Sequence, residues 1–169
     1  MRVIGLTGSI GMGKSTASSM IKGFGIPVHD SDQAVHKALA ADGPALRAIR
    51  QRFPEAYQRG FVDRKALGKI VFNDDAAITD LECILHPIVK HDRLRFLKRC
   101  RSQQISLAVI DVPLLFETGI HQECYQTIVM SAPSSVQARR VLSRSGMTVE
   151  KFQAVKSRQM PDIEKRHLF

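Results

Sequence analysis

The sequence contains no tryptophan, two tyrosines and only 6% aromatic residues. It therefore offers few faces on which unpaired bases can stack, which counts against a single-strand nucleic-acid binder, and no RNA- or DNA-binding module pattern appears. Cysteines number three, Cys83, Cys100 and Cys124, with no CxxC or Cys/His spacing. An odd, scattered set fits reduced thiols in a cytosolic protein better than a disulfide framework or a zinc site, and the three are read as packing residues. There is no run of 18 apolar residues, which argues against a membrane-spanning helix, and the N-terminus lacks the apolar stretch of a secretory signal. A cytoplasmic setting is expected. Acidic residues are also few, 16 against 25 Lys and Arg, a formal charge of +9. That excess favours anionic partners without choosing among nucleic acid, anionic lipid and phosphorylated small molecules.

What is present is globular: 44% hydrophobic and 24% charged residues in 169 positions, enough for one domain with a real core. "RVIGLTG" is a short β-branched and apolar run, suited to a buried parallel strand. Gly8, Ser9, Ile10, Gly11, Met12, Gly13, Lys14 and Ser15 then satisfy G-x-x-x-x-G-K-S/T in full. "KSTASSMIKGF" continues as a helix with Ala17, Met20, Ile21 and Phe24 on one face. Strand, loop and helix in that order are the setting a P-loop requires. Glycines let successive N–H groups converge on phosphate oxygens, and the new helix presents its positive end to the same anion. Lys14 is placed to reach the β- and γ-phosphates, the Ser15 hydroxyl to ligate Mg²⁺, and Thr16 to approach the α-phosphate.

Further strands are expected at Ile26–His29, in "ISLAVIDVPLLFE" and in "YQTIVMSA", with helices between them. This predicts an α/β fold: a P-loop NTPase-type parallel sheet flanked by helices. The block 31–103 shows no convincing strand and reads as a helical insertion, with 54–63 a loop. Residues 74–101 look like one long helix that Pro87 kinks or divides. A basic helical segment, about 133–165, follows the core of 1–30 and 104–132, and "TVEKFQAVKSRQM" is its last helix. The P-loop, Asp30/Asp32 and the "VPLLFE" loop all fall at the carboxyl ends of strands, where open α/β sheets bind ligands.

A kinase needs a carboxylate beside its acceptor hydroxyl. Asp30 and Asp32, spaced i, i+2, point the same way in extended backbone; the plainer reading is that one of them, or Ser31, caps a helix beginning near Gln33. Asp111 stands where a Walker-B acid could sit, with a role toward Mg²⁺ through water. Arg140 and Arg144, spaced i, i+4, would share a helix face and suit phosphate oxygens, against the plainer reading of a solvated basic surface.

The ordered set "TGSIGMGKST", "HDSDQAVH", "LECILHPIV", "VIDVPLLFETG" and "QARRVLSR…SRQM" resembles dephospho-CoA kinase over nearly the whole chain. The resemblance implies MgATP-dependent phosphorylation of the ribose 3′-hydroxyl of dephospho-CoA, the last step of coenzyme A synthesis. It implies a helical CoA-binding insertion and a basic lid on the P-loop core. It also implies that Asp32 is the base toward that hydroxyl and that Asp30 is the first acid of the same motif. His86 and Pro87 match the HP of the CoA-binding helices; without the family, His86 reads as a helix-face histidine beside a kink. Pro113, Leu114, Leu115 and Glu117 match the loop bordering the acceptor, although Glu117 reads equally as a surface acid. Arg140 matches the lid arginine, and Arg158 and Gln159 match the end of the lid more weakly. The implied partners are ATP, Mg²⁺ and dephospho-CoA, with no specific nucleic acid and no membrane. Members of the family usually continue past the equivalent of "KRHLF" with a strand, a loop bordering the adenine and a final helix. The alternatives are another small-molecule kinase, or a nucleotide- or nucleic-acid-binding P-loop protein without turnover.

Overall fold

The computed structural model describes residues 1–58, 60–72 and 74–168. In chain order the elements are β1 (Arg2–Thr7), α1 (Lys14–Gly23), β2 (Val28–Asp30), α2 (Ser31–Ala38), α3 (Leu46–Arg52), β3 (Tyr57–Gln58), β4 (Phe61–Val62), α4 (Arg64–Phe72), α5 (Asp75–Ser102), β5 (Leu107–Asp111), β6 (Gln126–Val129), α6 (Ser134–Leu142), α7 (Val149–Ser157) and α8 (Asp162–His167). They form two compact units, one of Met1–Asp30 with the chain from Leu97 onward, the other Ser31–Phe96.

The first unit is built on a parallel sheet of order β2-β5-β1-β6. Its two middle strands are apolar and buried: Leu6 in β1, and Ala108, Val109 and Ile110 in β5. Strands covered on both faces read as continuous apolar runs, which is why they were visible in the sequence. Register sets their ends level. Leu6 of β1 and Asp30 of β2 both pair with Asp111 of β5, while Thr7 pairs with Val129 of β6. The loops leaving β1, β2 and β5 therefore start from one edge of the sheet.

Two boundaries and one additional helix depart from the sequence reading. β2 runs Val28–Asp30 rather than Ile26–His29, because Pro27 accepts from the Val109 N–H (2.9 Å) but has no N–H to return. α2 starts at Ser31, not near Gln33. Asp30 thus ends a strand while Asp32 lies in the first turn of a helix, so the two do not share one extended face. A further helix, α8, follows the one expected to be last; at 6 residues it is too short to show a periodic apolar stripe.

The second unit has its own core, with Ile49, Phe53, Val62, Leu67 and Leu85 at its centre. Two of its helices, α4 and α5, begin at acid caps: Asp63 Oδ1 accepts from the N–H groups of Lys65 and Ala66, and Asp74 Oδ1 from that of Ala77, satisfying orphan donors. The expected loop at 54–63 holds a 3-10 turn, Pro54–Ala56, and an antiparallel pair, Tyr57–Gln58 with Phe61–Val62; two-residue strands are too short to show alternation. Arg59, in that stretch, and Asn73, in the expected helical insertion, lie outside the described residues. α5 runs undivided through Pro87. His86, Pro87 and Cys83 are exposed, so water can take the carbonyl that the missing N–H leaves open.

Only one cysteine is fully packed. Cys100 is buried and Cys124 partly so, but Cys83 is exposed, a correction to the packing role expected for all three. Burial pushes the Cys100 thiol above its ordinary pKa, with Arg99 partly opposing.

Phe53, 1% exposed, fills the second unit's core. Phe53→Ala is expected to cost about 3–5 kcal/mol, read as a fall in the denaturant midpoint.

Candidate phosphate-binding site

Gly13 is the N-cap of α1, with φ 92°, and the helix has neither a side-chain cap nor an acidic residue in its first turn. The positive end of α1 is thus left uncompensated and open to an anion. Gly11, at φ 78°, is closely backed: a Cβ there would lie 2.6 Å from Val141 Cγ2 and 3.1 Å from the Gln137 carbonyl oxygen, both on α6. Only glycine fits both the dihedral and the gap.

Charged groups ring this loop. Lys14 Nζ donates to Asp111 Oδ1 at 2.5 Å, with the lysine side chain 13% and the carboxylate 2% exposed. Asp111 closes β5, so the ammonium is tied to the sheet edge described above. Asp30, half-buried, sits opposite Asp111 in register. Arg140 Nη1 donates to the Gly11 carbonyl at 3.4 Å, reaching over the loop from the last turn of α6. Ser15 and Thr16 are exposed at the start of α1.

The "VPLLFE" loop after β5 is pinned from two directions. The Pro113 carbonyl accepts from the Thr7 hydroxyl (3.1 Å) and from Lys165 Nζ (3.2 Å). Lys165, fully buried on α8, pairs with Glu117 Oε1 at 2.9 Å, and the same oxygen accepts from the Met160 N–H at 2.7 Å. Leu115 is buried and Leu114 half-buried. Glu117, read from the sequence as an acceptor-site or surface acid, has internal partners.

The first unit therefore brings together Gly8 to Thr16, Asp30, Asp111, Pro113, Leu114, Glu117, Arg140 and Gln159. Arg144 is not on α6 with Arg140: the helix ends at Leu142 and is capped by Ser143, two residues short of the i, i+4 partner. Asp32, exposed in α2, and His86 and Pro87, exposed on α5, belong to the second unit. Two contributors escaped the sequence reading, Lys165 and Gln137. Both are polar residues on short basic helices, where nothing in the spacing separates a buried position from a solvated one. A cavity of about 290 Å³ beside the loop is lined by Ser9, Met12, Gln137, Lys156, Met160 and Asp162, among others.

A parallel sheet whose first strand leads through this glycine loop into a helix, with a lysine and an acid meeting at the strand ends, defines a P-loop nucleotide-binding protein. The model of the dephospho-CoA kinase family matches residues 2–168. Dephospho-CoA kinase of Paramagnetospirillum magneticum is 49% identical over 98% of this chain and 78% of its own length; that of Mesorhizobium japonicum is 49% identical over 99% and 84%. Among solved structures, TT1252 of Thermus thermophilus superposes with a TM-score of 0.85 at 36% identity, over 98% of this chain and 84% of that one. Dephospho-CoA kinase from Campylobacter jejuni gives 0.66 at 26%, over 99% and 83%. The chain belongs to the dephospho-CoA kinase family, ATP-using transferases that complete coenzyme A synthesis.

The ion pair gives a stability test. Lys165 is fully buried while Glu117 keeps contact with water, so Glu117→Met, which strands the ammonium, is expected to cost about 3–5 kcal/mol, whereas Lys165→Met combined with Glu117→Met recovers most of that loss. Denaturant midpoints of the two single variants, the double variant and the wild type close the cycle.

Proposed function

We propose that this chain transfers the γ-phosphoryl group of ATP to the ribose 3′-hydroxyl of dephospho-CoA, with the P-loop cradle of the first unit holding the triphosphate and Asp32 taking the acceptor's proton. The observation that carries the phosphate half is the convergence at one point of the uncapped N-terminus of α1, the Lys14 ammonium and the Arg140 guanidinium. Fixed positive groups aimed at the transferring phosphoryl favour the charge that develops there without reorganising.

Each group has a distinct task. The N–H groups of the loop and of the first turn of α1 bind phosphate oxygens. Lys14 exchanges Asp111 for the β- and γ-phosphates, since its three donors allow the switch without losing every bond. Arg140 covers the cradle, limits water and neutralises charge; Arg144, in the segment after α6, adds to nucleotide binding. Asp30, His86, Pro113, Leu114 and Glu117 shape the acceptor's surroundings, with Glu117 acting through its hold on the loop. The net charge of +9 suits two anionic substrates.

The donors at the cradle fit Mg²⁺. Among the described residues there is no group of three or more His, Cys, Asp or Glu able to hold a metal, and Mg²⁺ prefers a few hard oxygens plus substrate phosphates and waters over a protein cage. The Ser15 hydroxyl would ligate it directly and Asp111 through water, and it would supply positive charge against the phosphates. No helix among the described residues is long and apolar enough to cross a membrane, and we place the enzyme in the cytoplasm.

The test is ADP release with MgATP, with and without dephospho-CoA. Wild-type turnover should require dephospho-CoA. Asp32→Asn should lower kcat by about 10²–10⁴-fold with the ATP KM little changed, whereas Lys14→Ala should raise the ATP KM as well. Turnover independent of dephospho-CoA would sink the acceptor assignment, and full activity in Asp32→Asn would move the base elsewhere.

A further inference from the structure

The peptide of Ile10, third residue of the P-loop, is held at both of its polar groups by side chains distant in sequence. Its N–H donates to Gln159 Oε1 at 2.9 Å, and its carbonyl accepts from Gln137 Nε2 at 2.8 Å. Gln137 is 3% exposed, so its amide is committed to this contact rather than to water. The amide orientations follow from the peptide itself: an N–H can be met only by an oxygen and a carbonyl only by an N–H.

The next two residues are held from the same region. Gly11 is backed by Val141 and its carbonyl accepts from Arg140, and the Ala132 N–H reaches the Met12 sulfur at 3.1 Å. Three successive loop residues thus take their positions from the segment between β6 and α8, in addition to β1 and α1. A phosphate cradle works only if its N–H groups already converge before the ligand arrives. Left alone, a glycine-containing loop spends conformational entropy to reach that state.

We propose that Gln137 and Gln159 are positioning residues that clamp the Ile10 peptide and so set the phosphate cradle for the nucleotide. The inference rests on the ATP-dependent kinase reading, but the clamp makes a prediction about nucleotide binding that needs no turnover. It also separates the two glutamines from the basic groups around them, since neither carries charge and neither is asked to touch phosphate.

The experiment measures MgADP and MgATP affinity by calorimetry alongside steady-state kinetics, for Gln137→Ala, Gln159→Ala, Gln137→Glu and the double alanine variant, with thermal unfolding as a fold control. Each alanine variant should weaken nucleotide binding about three- to tenfold, the loss expected for one backbone hydrogen bond, and raise the ATP KM in parallel while leaving the dephospho-CoA KM within twofold. Gln137→Glu keeps the size but removes the donor and faces a carboxylate to a carbonyl oxygen, so it should be at least as impaired as Gln137→Ala. The double variant should resemble the worse single one, because both bonds serve one peptide. Unchanged nucleotide affinity in folded Gln159→Ala would overturn the clamp. So would equal rises in both substrates' KM, or losses that multiply in the double variant. If Gln137→Ala does not fold, Gln159→Ala carries the test. Absence of dephospho-CoA-dependent turnover in the wild type would count against the acceptor reading alone, since the calorimetry still reads the clamp.

Discussion

The ion pair between Lys14 and Asp111 joins the start of α1 to the end of β5, and the rest of the first unit is arranged around it. Both groups are largely withdrawn from water, the carboxylate to 2% exposure. Such burial costs several kcal/mol per ion unless the partner is well placed. Placement comes from register: Asp111 is level with Leu6 on one side and Asp30 on the other, so the loop leaving β1 starts where its lysine can reach back. On the function proposed above, a triphosphate entering the cradle would find that lysine already withdrawn from water and held at the end of β5.

The second interaction of this kind is farther from the cradle. Lys165 on α8 meets Glu117 and the Pro113 carbonyl, which also takes the Thr7 hydroxyl. A buried ammonium with two oxygen partners fixes the loop after β5 against β1 and the segment near Met160. The helical unit has an aliphatic core with Phe53 at the centre, and two of its helices, α4 and α5, start at the Asp63 and Asp74 caps.

Much of this was readable in the sequence because it depends on local pattern. The P-loop is defined by spacing over a few residues, and β1 and β5 by unbroken apolar runs. The long helix announces itself by period, even through Pro87, because its proline side faces water. What was not readable depends on partners that are distant in sequence. The hairpin at 57–62 is too short for any period. The expected pairing of Asp30 with Asp32 on one extended face failed because the chain turns helical at Ser31, close to the plainer reading of a helix start, which Ser and Asp favour. Arg144 falls outside the helix that carries Arg140 because α6 stops at Leu142. Gln137 and Lys165 look like solvated polar residues on basic helices, and only their burial and their contacts with Ile10 and Pro113 show otherwise.

The sheet order carries a consequence for how the chain is made. β1 lies between β5 and β6, both of which come much later, and the Thr7 hydroxyl meets the Pro113 carbonyl across 106 residues of sequence. At synthesis rates of about 5–20 residues per second, β1 would wait roughly 5 to 20 s for its neighbours, with the whole of the second unit emerging in the interval. The helical unit, whose core is drawn from its own contiguous residues, can collapse during that wait. The strand that carries the nucleotide loop must instead stay unpaired and apolar until β5 arrives. That strand is where a nascent chain of this topology is most exposed to aggregation, and where a chaperone that shields extended apolar segments would have the most to protect.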